Sequence, residues 1–214
     1  MDGTSCSHPI FARLFSWCAP TAERFGIGAH RDELLADLTG RVIEVGAGSG
    51  VNFSHYPHPV SEVVAVEPEP YLRTRALQAA RSSTVSVPVH VVAGTAEKLP
   101  LKDESFDAAV VSLVLCSVFE QQVALSELFR VLRSGGELRF YEHVLAEEAR
   151  LARWQRRVDL IWPYFSGGCH TSRDTLHSIE QAGFLIASCR RFTFRPCILA
   201  APVSSHVIGR AIKA

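Results

Sequence analysis

The segment Glu44-Val45-Gly46-Ala47-Gly48-Ser49-Gly50 restricts the fold more than any other stretch of the chain. It continues the apolar run Val42-Ile43, so a buried strand breaks directly into a glycine-rich bend. Glycine lets the backbone approach a ligand closely and adopt φ values that other residues avoid. In open α/β sheets, ligands bind beyond the carboxyl ends of the strands, where the strand order reverses. The next apolar run, Val63-Val64-Ala65-Val66, ends at Glu67, where a carboxylate can accept both hydroxyls of a ribose. Bend and acid together point to a cofactor that contains a nucleoside. The glycine spacing is G-x-G-x-G with Val51 next, not the dinucleotide spacing G-x-G-x-x-G, and no Lys follows as in a triphosphate-binding loop.

The rest of the chain supports the same architecture. Pro70 opens a helix with Leu72, Ala76, Leu77 and Ala80; Val89–Ala93 and Asp107–Leu113 read as third and fourth strands. Leu125, Leu128, Val131 and Leu132 share one face of a helix from about Gln121 to Leu132, which Gly135-Gly136 should end before a fifth strand, Glu137–Val144. Short β-branched strands alternating with helices imply a parallel sheet covered on both faces. Residues 147–165 read as helical. Thr171 or Ser172 should cap a further helix ending near Ala182. Phe184–Phe194 and Val203–Ile212 read as two strands joined without a helix, so the last should run antiparallel. Apolar spacing in residues 1–39 (Ile10, Phe11, Leu14, Phe15, Phe25, Leu34, Leu35, Leu38) predicts two or three helices. One domain over 1–214 is expected: a helical cap (1–39), a cofactor-binding half (40–146), and a substrate lid with C-terminal strands (147–214).

Composition excludes several classes. Lys+Arg and Asp+Glu stand at 22 each, without the basic excess of a nucleic-acid or purely electrostatic membrane binder. No apolar run is long enough to span a bilayer, so no membrane anchor is expected, and the start Met1-Asp2-Gly3-Thr4-Ser5 lacks signal-peptide features. A cytoplasmic protein acting on a small molecule is the expectation. The cysteines Cys6, Cys18, Cys116, Cys169, Cys189 and Cys197 form no C-x-x-C pair, and no Asp/Asn cluster marks the strand ends, so no metal is expected.

Five ordered segments resemble class I S-adenosylmethionine-dependent methyltransferases: Val42–Gly50; Val66-Glu67-Pro68; Gly94-Thr95-Ala96-Glu97-Lys98-Leu99-Pro100; Ser105-Phe106-Asp107; and Leu128–Gly136. Beyond them, Leu113–Val118, Tyr141-Glu142-His143-Val144, Gly168–Thr175 and Pro202–Gly209 are similar to the small methyltransferase-like group that includes the alkyl thiol S-methyltransferases. Animal members of that group carry a hydrophobic N-terminal anchor, whereas this chain starts with a helical pattern.

The resemblance implies a Rossmann-like, mostly parallel seven-stranded sheet with an antiparallel last strand and helices on both faces. It implies S-adenosylmethionine as cofactor and S-adenosylhomocysteine as product. Gly46, Ala47, Gly48 and Gly50 would pass beneath the methionyl part, and Glu44 would hold its amino group. Glu67, with Pro68, would bind the ribose. Thr95, Ala96 and Glu97 would meet the adenine, with Thr95 where the family often has Asp or Asn. Leu113 and Val114 would touch the methionine chain.

On the acceptor side, His143 reads as a base or orienter, or as a structural histidine. Cys116 reads as pocket lining or as a small core residue. Tyr141, Trp162 and His170 complete the candidate substrate pocket. The stripe Trp154, Trp162, Tyr164, Phe165 reads first as core, and Phe11, Phe15, Trp17 and Phe25 as part of an N-terminal lid. Arg173 reads as a lid salt bridge or a carboxylate binder, Glu142 as pointing away from the cleft, and Glu147–Arg157 as a solvated helix face. The favoured reaction is S-methylation of a small-molecule thiol. N-, O- or C-methylation of a lipid-like amine or quinone, and a non-catalytic cofactor-binding protein, are the alternatives.

Overall fold

The computed structural model describes residues 26–195 and 198–214. The expectations for Ile10 through Phe25, and for Cys6, Cys18 and Cys197, lie outside them. The strands are β1 (Gly40–Val45), β2 (Val60–Val66), β3 (Val89–Val92), β4 (Phe106–Ser112), β5 (Leu132–His143), β6 (Phe184–Thr193) and β7 (Ser205–Lys213). They form one seven-stranded sheet in the order β3-β2-β1-β4-β5-β7-β6. The neighbours among β1 to β5 pair in parallel, and β7 lies antiparallel between β5 and β6. The order reverses between β1 and β4, which places the crevice at their carboxyl ends.

Apolar residues on both faces of the central strands explain the layering. On one face, Ile43, Val45, Ala109 and Val111 pack against helix α3 (Gln121–Val131) through Ala124, Leu125, Leu128 and Val131, and against Ile179 of α5 (Thr175–Gln181). On the other, Val42, Val63, Ala65 and Val110 meet Leu34 and Leu35 of α1 (Gly28–Leu35) and Ala76 of α2 (Pro70–Ala79). A fully buried leucine such as Leu128 contributes about 2 kcal/mol of transfer free energy. The described part of the expected N-terminal cap is therefore a core helix under the sheet.

Three local expectations change. Helix α3 ends at Val131, within a residue of its expected end, but β5 starts at once at Leu132 and not at Glu137; Gly135-Gly136 form an irregularity inside it, with Gly135 at φ +77°. The Asp174 carboxylate, not Thr171 or Ser172, caps α5 by accepting the His177 N–H at 3.3 Å. Helix α4 (Ala149–Val158) and a short 3-10 turn (Trp162–Tyr164) replace one continuous helix. Trp154, Tyr164 and Phe165 are exposed and Trp162 is half-buried, so the aromatic stripe is not core. The charged positions of α4 are solvated as expected. Among the described residues, no helix is long and apolar enough to cross a membrane.

Candidate active site

The bend leaving β1 is built from left-handed glycines: Gly46, Gly48 and Gly50 have φ of +71°, +58° and +81°. Its path is held by Gly46 N–H and Ala47 N–H, which donate to Val66 O at 2.8 and 3.2 Å. A Cβ at Gly46 would stand 2.5 Å from Val114 Cγ2, and one at Gly50 2.6 Å from the Phe53 ring. Only glycine fits there on both counts. Glu67, buried at the end of β2, accepts Gly48 N–H at 2.8 Å on Oε2 and Glu69 N–H at 2.9 Å on Oε1. Burial raises its pKa, partly offset by those two N–H groups. Each oxygen keeps lone-pair capacity for a sugar hydroxyl. Pro68 carries the chain into α2; its carbonyl and that of Glu67 accept from Arg73.

Glu44 sits deeper than expected. Its carboxylate is 2% exposed, and its oxygens accept from Asn52 Nδ2 and Tyr56 Oη, both at 2.8 Å. Arg31 in turn donates to Asn52 Oδ1 at 2.6 Å. Burial pushes the Glu44 pKa up to about 7 against the pull of Tyr56 and Asn52. Glu44 thus braces the bend from inside, with one oxygen on Asn52 and the other on Tyr56. Arg31, Asn52 and Tyr56 carry no sequence signal: the segment after the bend brings Asn52 and Tyr56 to Glu44, and α1 packing brings Arg31 to Asn52.

On the opposite wall, Ala96 is buried, Thr95 is half-buried in a small bridge with Lys98, and Glu97 accepts Phe119 N–H at 3.0 Å. Glu97 therefore ties this loop to the turn after β4. Leu113 takes φ +60°, a left-handed value that costs a non-glycine residue about 1–2 kcal/mol. Its N–H donates to Tyr141 O at 2.7 Å. The chain then folds over Glu142, whose carboxylate accepts the N–H groups of Val114, Leu115 and Cys116 at 2.9, 3.0 and 3.1 Å. Strand alternation does put Glu142 opposite Tyr141 and His143. The left-handed step at Leu113 brings the turn to it, so Glu142 builds the cleft wall and does not point away. Arg173 donates to Leu115 O and Val118 O, clamping the same turn through carbonyls and not through a salt bridge.

At the end of β5, His143 Nδ1 lies 3.4 Å from Cys169 Sγ and 3.7 Å from Cys116 Sγ. Both cysteines are buried. Donation from Cys116, and from His143, holds the Cys169 thiol well below its ordinary pKa, while the adjacent Cys169 and burial push Cys116 up. Sequence reasoning named Cys116 and His143 but not Cys169 as their partner. His206 stacks edge-on to His143 at 4.7 Å; burial first, and His143 second, push its pKa down to about 3.

The remaining substrate-pocket candidates fare unevenly. Tyr141 is buried in the α1-side layer, stacked with Phe192 and His206, and its hydroxyl has no hydrogen-bond partner. Trp162 is half-buried, with an unpartnered Nε1. His170 turns its ring to Asp159, Nδ1 to Oδ2 3.0 Å; what reaches the cluster is its backbone N–H, which donates to Cys116 O at 2.7 Å.

These features have counterparts in known proteins. A methyltransferase domain family matches residues 43–140. Thiol S-methyltransferase TMT1B of Rattus norvegicus is 34% identical over 174 residues, covering 80% of this chain and 70% of the relative. The chain belongs to the S-adenosylmethionine-dependent methyltransferases. Human thiol S-methyltransferase TMT1A is 33% identical over 179 residues, covering 80% of this chain and 70% of that one. A solved S-adenosylmethionine-dependent methyltransferase from Thermotoga maritima superposes with a TM-score of 0.62 at 25% identity, covering 95% of this chain and all of its own. As a methyltransferase of this family, the chain places its glycine bend and Glu67 at the carboxyl ends of β1 and β2, and its Cys116–His143–Cys169 cluster at the end of β5.

Proposed function

We infer that this methyltransferase binds S-adenosylmethionine across the carboxyl ends of β1, β2 and β4 and transfers its methyl group to the sulfur of a small-molecule thiol. The observation that carries the thiol reading is the length of the match to the thiol S-methyltransferases. An alignment of 174 residues runs well beyond residues 43–140, so it includes segments on the acceptor side. A cluster of sulfur and imidazole groups at that side supports the same reading.

The site fits the cofactor on the molecule's own terms. Three left-handed glycines give the bend a backbone without side chains at Gly46, Gly48 and Gly50, and Glu67 retains acceptor capacity beside the Gly48 N–H. When bound, the sulfonium supplies an already activated methyl group. The protein's part is then alignment of acceptor, methyl and departing sulfur, the largest contribution available to an in-line transfer. Glu67 would hold the sugar; the bend would pass under the methionyl part; Leu113 and Val114 would flank it. Thr95 and Ala96 would face the adenine, with Glu97 bracing that loop through Phe119. A free thiol is already a few per cent ionised at neutral pH, so little base assistance is required. His143 Nδ1 is engaged by two cysteine sulfurs, which favours an orienting role over proton abstraction at that nitrogen.

Transfer of labelled methyl from S-adenosylmethionine to a panel of thiols, amines and phenols tests this reading. Thioether products are expected, lost in Glu67→Ala. Turnover of an amine or phenol with none on any thiol overturns it.

A further inference from the structure

Cys116 Sγ, His143 Nδ1 and Cys169 Sγ all lie within 4.8 Å of one another. Tetrahedral zinc, with Zn–S near 2.3 Å and Zn–N near 2.05 Å, sets its ligands roughly 3.6 Å (S···N) and roughly 3.8 Å (S···S) apart. The two S···N separations here are 3.7 and 3.4 Å. The His143 nitrogen therefore already stands at ligand spacing from both sulfurs, and the two sulfurs lie within 4.8 Å of each other. They lie 27 and 26 residues apart in sequence, which is why no ligand motif is visible there.

Each donor is held independently. His143 closes β5, in register with His206 of β7. Cys116 has its N–H on the Glu142 carboxylate and its carbonyl on the His170 N–H. The turn that carries it is clamped by Arg173. The Cys169 carbonyl accepts Ser166 Oγ at 3.2 Å. These contacts fix the backbone that carries each donor, so the three side chains meet without rearrangement of the fold. Among the described residues, no fourth Cys, His, Asp or Glu joins the group. Three protein ligands with one open position is the arrangement of reactive zinc sites, and a Cys₂His set selects a thiophilic d¹⁰ ion.

We propose that Cys116, His143 and Cys169 form a three-ligand zinc site whose fourth position takes the sulfur of the acceptor thiol. This rests on the thiol reading above and gives that reading its recognition element. The acceptor thiol loses its proton to solvent on binding and is held as thiolate. Its sulfur lone pair forms the new bond to the methyl carbon while the carbon–sulfonium bond breaks, and that electron pair stays on the departing S-adenosylhomocysteine sulfur. The thioether product is neutral, a weak ligand, and leaves. Val114 touches the glycine bend, and Cys116 follows it by two residues in the same turn, so donor and acceptor sites share one wall.

The test uses the full chain, stripped of metal under reducing conditions and titrated with Co²⁺ without oxygen. The expected result is one equivalent bound, with the visible bands of tetrahedral cobalt and a near-ultraviolet thiolate-to-cobalt band. That band falls by about half in Cys116→Ser and in Cys169→Ser, because one of two thiolates is lost, and disappears in the double variant. It is unchanged in Cys189→Ser, which removes an exposed thiol. Retained S-adenosylhomocysteine binding shows that each variant is folded. A thiolate band surviving in the folded double variant overturns the site, as does a Cys116–Cys169 disulfide that persists under reduction with no cobalt bound. Ethanethiol should shift the cobalt bands and ethyl methyl sulfide should not; no shift with ethanethiol overturns the open-position role. Cobalt bound at the cluster with no thiol methylated sinks the thiol reading alone. Thiol methylation undiminished in fully metal-free enzyme sinks the zinc role alone.

Discussion

Glu67 Oε2 accepts the Gly48 N–H at 2.8 Å, so the acid that ends β2 and the bend that leaves β1 are one unit. The carboxylate orders the bend, and the bend fixes where the carboxylate presents its remaining lone pairs.

Replacing Glu67 by Ala removes that support and, on the proposed reading, the acceptor of the cofactor's sugar hydroxyls. Hydrogen bonds to a charged group are worth about 1.5–3 kcal/mol each, so a loss near 3 kcal/mol, roughly a 100-fold rise in Kd for S-adenosylmethionine, is expected. Calorimetric titration reads it directly; an unchanged Kd would remove Glu67 from the site.

Gly46→Ala meets two penalties, the left-handed φ of +71° and the Val114 methyl 2.5 Å from the new Cβ. Cofactor affinity should fall by at least 10-fold, about 1.4 kcal/mol. Adding Val114→Ala removes the steric penalty only, so the double variant should recover part of the loss. Strict additivity of the two substitutions would contradict the contact.

Glu44 gives a pH signature. Its folded pKa, about 7, lies above the ordinary 4.5. Between those values the folded state binds more protons than the unfolded state, so this group's contribution is largest below pH 4.5 and declines as pH rises through 7. The decline amounts to about 3 kcal/mol. In Glu44→Gln the titration is gone. Urea unfolding at pH 5 and pH 8 should therefore show a larger loss of stability with rising pH in the parent than in the variant. Equal pH dependence in the two proteins would place the Glu44 carboxyl in a solvated setting.

Glu142→Ala leaves three N–H donors of the turn after β4 without their acceptor. Unsatisfied buried donors cost about 1–3 kcal/mol each, and a total near 3 kcal/mol is expected after the turn relaxes. Glu142→Gln keeps one acceptor oxygen and should lose less. Equilibrium unfolding compares them; equal stabilities of parent and Ala variant would show that solvent already serves those donors.

The strands and helices were legible because their signals are local. Val63–Val66 and Ala108–Val111 are apolar on both faces, Val42–Val45 is apolar but for Glu44, and Leu125, Leu128 and Val131 recur at helical spacing. The start of β5 differs from the expectation because Gly135-Gly136 suits a turn after a helix as well as an irregular strand start. On the cofactor side the glycines and Glu67 were readable, since adjacent strands bring consecutive strand ends together. Their support by Arg31, Asn52 and Tyr56 was not, because no period links those positions to Glu44.

The order of the elements, the glycine bend, the acid at the second strand end and the methyltransferase family are properties of the sequence alone. They follow from short-range patterns that survive in any compact arrangement of these strands. The convergence of Cys116, His143 and Cys169, and the closing of a turn over Glu142, were decided by the tertiary structure. They depend on a left-handed step at Leu113 and on loops that meet only when β4, β5 and the segment after α4 are packed side by side.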